Sequence, residues 1–263
     1  TVVTVNALPA APTITASGPV EFCAGGSVDL TSSEAAGNLW STAETDQAVT
    51  VAATGSYTVE FTDGNGCKAT SAATVVTVNA LPAAPTITAS GATTFCDGGS
   101  VVLTSSQATG NAWIDGEDTE TITVTESGDY TTVYTDASGC SSAASAATTV
   151  TVNALPAAPT ITASGATTFC DGGSVVLTSS QATGNAWIDG EDTETITVTE
   201  SGDYTTVYTD GSGCSSAASA ATTVTVTALP TVTVNDETIC AGGAAPTFTA
   251  TATSGTAASW LWS

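Results

Sequence analysis

The amino-acid sequence predicts an all-β chain built of small tandem modules, and three observations support this prediction. One stretch recurs along the chain, because residues 79–152 and 153–226 differ only at Ala137 and Gly211. Within each copy, short runs rich in the β-branched residues Thr and Val alternate apolar and polar positions. Turn sequences that combine Gly with Asp, Asn or Ser separate these runs. A fixed internal period outweighs chain length in dividing a sequence, so the chain is predicted to be an array.

The repeats define the predicted domain organisation. A junction reading NALPAAP begins at Asn6, Asn79 and Asn153, and its two prolines prevent a strand ladder from continuing through it. The predicted segments are the last strand of a preceding module (1–8), repeat 1 (9–81), repeat 2 (82–155), repeat 3 (156–229) and the start of a truncated fourth repeat (230–263). The opening residues copy the end of repeat 1, so we expect the sequence to be a window from a longer protein.

Each repeat is expected to consist of strands alone. In repeat 2 the predicted strands are 85–90, 100–105, 111–114, 120–125, 129–135 and 146–152. Comparison of the copies predicts which side of a strand faces the core: Val28 and Leu30 align with apolar residues, whereas Asp29 marks the solvent side. The aromatic residues predicted to fill the cores recur at the same offset in each copy and are Trp40, Trp113, Trp187, Tyr57, Tyr130 and Tyr204.

Two cysteines lie 44 positions apart in every repeat, and this spacing predicts disulfides. The predicted pairs are Cys23–Cys67, Cys96–Cys140 and Cys170–Cys214, with the partner of Cys240 lying beyond residue 263. Closing a loop of about 45 residues stabilises a module by about 4 kcal/mol in the chain-entropy model. Disulfides imply an oxidising, extracytoplasmic location. A zinc site is not expected, since neither a C-x-x-C pair nor any His is present.

Short strands, a Trp between two cysteines and a Tyr that starts a late strand resemble an immunoglobulin-like β-sandwich. The resemblance therefore implies an array of such sandwiches of about 74 residues each. The cysteines depart from the antibody pattern, because the first precedes the second predicted strand and the other lies in a turn. We expect the bridge to join strand ends at one pole of a module instead of crossing its centre.

A more specific resemblance rests on the strings PAAPTITASG, FCDGGSVVLTSS and SGDYTTVYTDASGC. They resemble the Ig-like repeats of Bacteroidota secreted and gliding-motility-associated cell-surface proteins, and the similarity covers three modules and the start of a fourth. The resemblance implies a very long surface protein of the giant adhesin type, exported by the type nine secretion system. It implies no catalytic activity.

Composition excludes several classes of function. The 263 residues contain 25 Asp and Glu against one basic residue, Lys68, and the formal net charge is −24. Such a chain repels nucleic acid and anionic membranes, and no apolar run is long enough to insert into a membrane. Without His or Arg, the common nucleophile–base pairs and oxyanion clamps cannot be built, so no enzyme is expected.

Two uses of the remaining polar and aromatic residues stay open. Carboxylates on turns would suit Ca²⁺, although no EF-hand spacing is present. The candidate calcium ligands form one cluster in repeat 2 and its copy in repeat 3: Asp115, Glu117, Asp118, Asp189, Glu191 and Asp192. Exposed aromatic residues would suit a glycan, but one Trp at a constant offset is more typical of a core.

These observations predict a structural stalk or fibre segment of a long extracellular bacterial adhesin. Adjacent, nearly identical copies add length to a stalk, and they make an adhesin multivalent. The expected partners are neighbouring repeats of the same chain. Other copies of the chain in a fibre, or surface glycans, are further possible partners. Repeated carbohydrate-binding modules and a spacer between a secreted enzyme and its anchor are the alternative functions.

Overall fold

A computed structural model of the chain describes residues 1–234, residue 241 and residues 250–252. These residues form strands, turns and irregular segments and no helix, so the all-β prediction is confirmed. It follows that none of them belongs to a helix able to cross a membrane. The immunoglobulin-like classification, the module size and the domain boundaries stay predictions. Cys240 and the remainder of the predicted fourth repeat lie mostly outside the described residues.

Repeat 1 contains nine short strands. They are β1 (Ile14–Ala16), β2 (Glu21–Cys23), β3 (Val28–Ser32), β4 (Asn38–Trp40), β5 (Ala48–Val51), β6 (Gly55–Tyr57), β7 (Val59–Thr62), β8 (Lys68–Thr70) and β9 (Thr74–Asn79). Three sheets result, with strand orders β1-β3-β5, β2-β9-β6 and β4-β7-β8. All pairings are antiparallel except that of β2 with β9, which run parallel with Cys23 opposite Asn79.

Repeats 2 and 3 reproduce this arrangement with eight strands each. In repeat 2 they are β10 (Ile87–Ala89), β11 (Thr94–Cys96), β12 (Val101–Ser105), β13 (Asn111–Trp113), β14 (Thr121–Val124), β15 (Gly128–Tyr130), β16 (Thr132–Tyr134) and β17 (Thr148–Asn153). In repeat 3 they are β18 (Ile161–Ala163), β19 (Thr168–Cys170), β20 (Val175–Ser179), β21 (Asn185–Trp187), β22 (Thr195–Val198), β23 (Gly202–Tyr204), β24 (Thr206–Tyr208) and β25 (Thr222–Thr227). Two further strands, β26 (Val232–Val234) and β27 (Ala250–Ala252), pair antiparallel.

The strands predicted for repeat 2 differ from the structure at two places. The short strand β11 was not predicted, and it joins β17 and β15 in one sheet. The predicted strand 129–135 is interrupted at Thr131, because β15 pairs with β17 while β16 pairs with β13 in another sheet. A single alternating run therefore supplies two sheets.

The three sheets of repeat 1 share one hydrophobic core. Val28 and Leu30 of β3 are buried beside Trp40 of β4 and Val76 of β9, whereas Asp29 is exposed. The alternation predicted for this strand is thus confirmed. The indole N–H of Trp40 donates to the backbone carbonyl of Asp46 at 2.8 Å, so the polar edge of the buried ring is satisfied.

Gly37 shows why a turn residue of this fold is glycine. Its φ is 80°, in the left-handed region that favours glycine, and a Cβ at this position would lie 2.6 Å from the carbonyl oxygen of Thr62. The N–H of Thr62 also donates to the carbonyl of Gly37 at 2.9 Å, so the two backbones are in close contact where β4 pairs with β7.

The segment 1–8 forms no strand, which differs from the sequence-based prediction. Val2, Val3, Val5 and Leu8 are at least three-quarters exposed. In repeat 1 the corresponding strand β9 lies between β2 and β6, both of which precede it in sequence.

The chain divides into two compact units that do not coincide with the repeats. Unit 1 comprises Thr1–Thr93 and Ser100–Thr151, and unit 2 comprises Thr94–Gly99 and Val152–Ser263. The segment that carries Cys96 therefore belongs to the unit that contains repeat 3, although its sequence belongs to repeat 2.

Candidate functional site

Two disulfides join cysteines of different repeats. Cys23 of repeat 1 is bonded to Cys140 of repeat 2, and Cys96 of repeat 2 is bonded to Cys214 of repeat 3. Cys67 and Cys170 are free thiols. The predicted pairs Cys23–Cys67, Cys96–Cys140 and Cys170–Cys214 are therefore wrong. The rule that the structure follows is that the first cysteine of one repeat bonds to the second cysteine of the next.

The first cysteine of a repeat lies beside the point where the chain leaves that repeat. Cys23 ends β2 and is the register partner of Asn79, the last residue of β9. The N–H of Ala24 donates to the carbonyl of Asn79 at 2.8 Å, and the NALPAAP junction begins at that asparagine. The parallel pairing of β2 with β9 thus places Cys23 next to the junction that leads to repeat 2.

The second cysteine lies in a turn built by an aspartate four residues earlier. In repeat 2, Oδ1 of Asp136 accepts hydrogen bonds from the N–H groups of Ser138 and Cys140, both at 2.9 Å. The N–H of Asp136 donates in return to the carbonyl of Cys140 at 3.0 Å, and Gly139 takes a φ of 77°. The side chain of Asp therefore closes the turn and fixes the position of the cysteine.

The positions of the two cysteines within a repeat explain why they do not bond to each other. Cys23 belongs to the sheet β2-β9-β6, whereas Cys67 lies in the turn between β7 and β8 of a different sheet. The constant spacing of 44 residues carried no information on pairing. In a repeat array, the spacing from one repeat to the next is nearly constant too, and the bonded cysteines are 117 and 118 residues apart.

Exposure separates the bonded cysteines from the free ones at equivalent positions. Cys140 and Cys214 are fully buried, whereas Cys67, at the same place in repeat 1, is partly exposed. Cys170 is exposed, whereas the bonded first cysteines Cys23 and Cys96 are half-buried. The cysteines that form a bridge are thus more buried than the free cysteines at equivalent positions.

The loops that the two disulfides close overlap between Cys96 and Cys140. A covalent path from Cys23 to Cys214 runs through the first bridge to Cys140, back along the chain to Cys96, and through the second bridge to Cys214. This path contains 44 residues, whereas the backbone between its ends contains 191. Any separation of Cys23 and Cys214 is limited by the shorter path.

The candidate calcium ligands lie on an exposed turn and do not converge. Asp115 and Glu117 follow β13 and are exposed, and Oδ1 of Asp115 accepts a hydrogen bond from the N–H of Glu117 at 3.2 Å. The copy formed by Asp189 and Glu191 has the same contact at 3.3 Å, and Asp118 and Asp192 are exposed as well. Within the described residues, no three acidic, Cys or His side chains form a group able to hold a metal ion.

The aromatic residues of the repeats are mostly enclosed. Trp40, Trp113 and Trp187 are 2–3% exposed, and Tyr57 is buried. Tyr130 and Tyr204 are half-buried, beside shallow grooves that contain Asp115 and Glu126 in repeat 2 and their copies in repeat 3. Burial, followed by the charges of Glu126 and Asp115, raises the pKa of Tyr130 above its ordinary value.

No family model matches the chain, and no curated protein matches it. Solved structures to which the chain is similar include a Ca²⁺-stabilized adhesin with which an Antarctic bacterium binds ice (19% identity, covering 88% of this chain and 78% of that chain, TM-score 0.44). A 1.5-MDa bacterial ice-binding adhesin is also similar, with 15% identity, coverage of 85% of this chain and 99% of that chain, and a TM-score of 0.32. The human OSCAR ligand-binding domain has 14% identity, coverage of 55% of this chain and 100% of that chain, and a TM-score of 0.24. At these identities and TM-scores we draw no functional conclusion from the similarity.

Proposed function

We propose that this chain is a stalk segment of an extracellular bacterial adhesin, in which disulfides between repeats limit how far the stalk extends under tension. The observation that carries the proposal is the overlap of the Cys23–Cys140 and Cys96–Cys214 loops. A bridge inside one repeat would protect only that repeat. A bridge between repeats shortens the covalent path across consecutive repeats even after both have unfolded.

The repeat composition supports the same function. Repeats 2 and 3 are nearly identical, which is useful for adding length and of little use for separate binding specificities. Most of the carboxylates in the described residues are exposed. The net charge of −24 keeps such a chain soluble and disfavours association between copies. We propose no catalytic role for it.

The finer parts of the proposal rest on the sequence resemblance. The strings that close each repeat, such as SGDYTTVYTDASGC, resemble Bacteroidota cell-surface repeats, and we propose a location at the cell surface and export by the type nine system. An oxidising exterior is where bridges of this kind form and persist. Neighbouring repeats are the first partners of each module in this proposal.

The covalent path predicts how far the unfolded chain can extend. A fully extended chain spans at most 3.3–3.6 Å per residue, so the 191 residues from Cys23 to Cys214 reach about 650 Å after reduction. With both bridges intact, the 44-residue path limits the same separation to about 160 Å. Tension is then carried from Cys23 to Cys214 without extending the rest of the three repeats.

Single-molecule stretching of the full chain from its two ends tests the proposal. We expect the fully unfolded length to be about 500 Å shorter in the oxidised protein than in the reduced protein. The variant C23S/C140S keeps only the second bridge, which leaves a path of 73 residues. Its oxidised length should exceed that of the unmodified protein by about 100 Å. The matched control C67S removes a free thiol and should leave the length unchanged.

Two results would contradict the proposal. Equal lengths before and after reduction would show that the bridges do not limit extension. A gain of about 300 Å in C23S/C140S would mean that the variant had opened two separate loops of 44 residues, as expected if each bridge lay within one repeat.

A further inference from the structure

The geometry points to Cys67 and Cys170 as the open halves of two further bridges of the same kind. In this inference Cys170 bonds to the second cysteine of a module that follows repeat 3, and Cys67 bonds to the first cysteine of a module that precedes repeat 1. The partner in each case is another module with this cysteine pattern. The inference rests on the pairing rule and not on the proposed stalk function.

Cys170 is held in the same way as the two first cysteines that are bonded. It ends β19, which runs parallel to β25, and its register partner is Thr227, the last residue of that strand. The N–H of Asp171 donates to the carbonyl of Thr227 at 2.8 Å, as the N–H of Asp97 does to Asn153 in repeat 2. The thiol therefore lies beside the exit of repeat 3, exposed at the place where Cys96 forms its bridge.

Cys67 is held in the same way as the two second cysteines that are bonded. Oδ1 of Asp63 accepts hydrogen bonds from the N–H groups of Asn65 and Cys67, both at 2.9 Å. The N–H of Asp63 donates to the carbonyl of Cys67 at 2.9 Å, which completes the turn seen at Cys140 and Cys214. The turn exists without a bridge, so Cys67 is already positioned for a partner.

Formation of each new bridge is a two-electron oxidation. The thiol of Cys170 and the thiol of the partner cysteine form one S–S bond and release two protons and two electrons. A disulfide oxidant such as oxidised glutathione accepts the electrons by thiol–disulfide exchange, and its own S–S bond is cleaved to two thiols. An extracytoplasmic location supplies oxidants of this class.

The test lengthens the full chain by one repeat. A second copy of residues 156–229 is inserted after Leu229, with C240S throughout, which reproduces after repeat 3 the sequence spacing between Cys96 and Cys214. Three versions of the inserted copy are compared: one in which both of its cysteines are replaced by Ser, one that keeps only its second cysteine, and one that keeps only its first. Each protein is oxidised with glutathione disulfide, unfolded in urea without reductant, and its thiols are counted by maleimide labelling and mass spectrometry.

The version without inserted cysteines should carry two labels, on Cys67 and Cys170. The version with only the second cysteine should carry one label, on Cys67, because Cys170 is bonded to the inserted cysteine. The version with only the first cysteine should carry three. Peptide mapping of the Cys23–Cys140 and Cys96–Cys214 bridges shows that every version has folded. Three labels in the version with only the second cysteine would overturn the inference, because Cys170 would then have stayed free. One label in the version with only the first cysteine would also overturn it, because Cys170 would then bond to any nearby thiol.

Discussion

The turns 63–67 and 136–140 are built alike, but the first ends in a free cysteine and the second in a disulfide-bonded one. In both, an aspartate accepts two backbone hydrogen bonds at 2.9 Å, one of them from the cysteine itself. Cys140 is bonded to Cys23 and is fully buried, whereas Cys67 is free and partly exposed. The local chain, and not the bridge, therefore creates the turn. The contribution of the disulfide is to connect one repeat to the next.

The segments that follow these two turns also differ. After Cys67, residues Lys68–Thr70 form β8 and pair with β7, and Lys68 forms an ion pair with Glu60. After Cys140, an isolated antiparallel β-bridge between the backbones of Thr135 and Ser141 takes the place of this strand pairing. The buried hydroxyls of Ser142 and Ser145 then accept hydrogen bonds from backbone N–H groups at 3.0 and 3.2 Å. The contact of Ser145 has a counterpart in repeat 1, where the hydroxyl of Ser71 accepts from the N–H of Val59 at 3.1 Å, so the contact of Ser142 is the one that distinguishes repeat 2 at this edge.

The largest effect expected from this comparison is on stability. The variant C23S/C140S should lower the free energy of unfolding by about 5 kcal/mol, because the bridge closes a loop of 117 residues in the unfolded chain. The variant C67S, which alters the equivalent but free cysteine, should change it by less than about 0.5 kcal/mol. Urea unfolding followed by tryptophan fluorescence measures both values. Similar losses in the two variants would mean that Cys67 has a structural partner.

A smaller effect is expected from the aspartates of the two turns. Asp136→Ala and Asp63→Ala each leave two backbone N–H groups without an acceptor and should each cost about 1–3 kcal/mol. The loss should be greater for Asp136, because one of its donors belongs to the fully buried Cys140. The same urea titration tests this expectation. If Asp63→Ala had no effect while Asp136→Ala did, the turn would depend on the bridge, contrary to our account.

The strand content of the molecule was predictable from residue patterns. The alternation of Val28, Asp29 and Leu30 reports directly which side chains are buried, because one face of that strand packs on the core. The strand β11 could not be predicted in this way, since three residues are too few to show alternation. The change of partner strand at Thr131 could not be predicted either. An alternating pattern shows which side chains of a strand are buried, but it does not show which strand is its hydrogen-bonding neighbour.

The pairing of the cysteines could not be predicted from sequence alone. The separation of 44 residues within a repeat and those of 117 and 118 between repeats follow equally from a constant period. The choice depends on the parallel contact of β2 with β9, which pairs residues 56 positions apart and leaves no local pattern. The aspartates at positions 63, 136 and 210, each four residues before a second cysteine, do signal a turn in the sequence, but they do not identify the partner.

Cleavage of the junction between repeats 1 and 2 tests whether a disulfide joins the two repeats. A recognition site for a specific protease is inserted between Ala83 and Ala84 of the oxidised full chain, in a Pro-containing segment that forms no strand. The cut protein is then separated under denaturing conditions without reductant. We expect the two fragments to migrate as one species, joined by Cys23–Cys140, and to separate after reduction or in C23S/C140S. Fragments that separate without reductant would show that no bridge joins the two repeats.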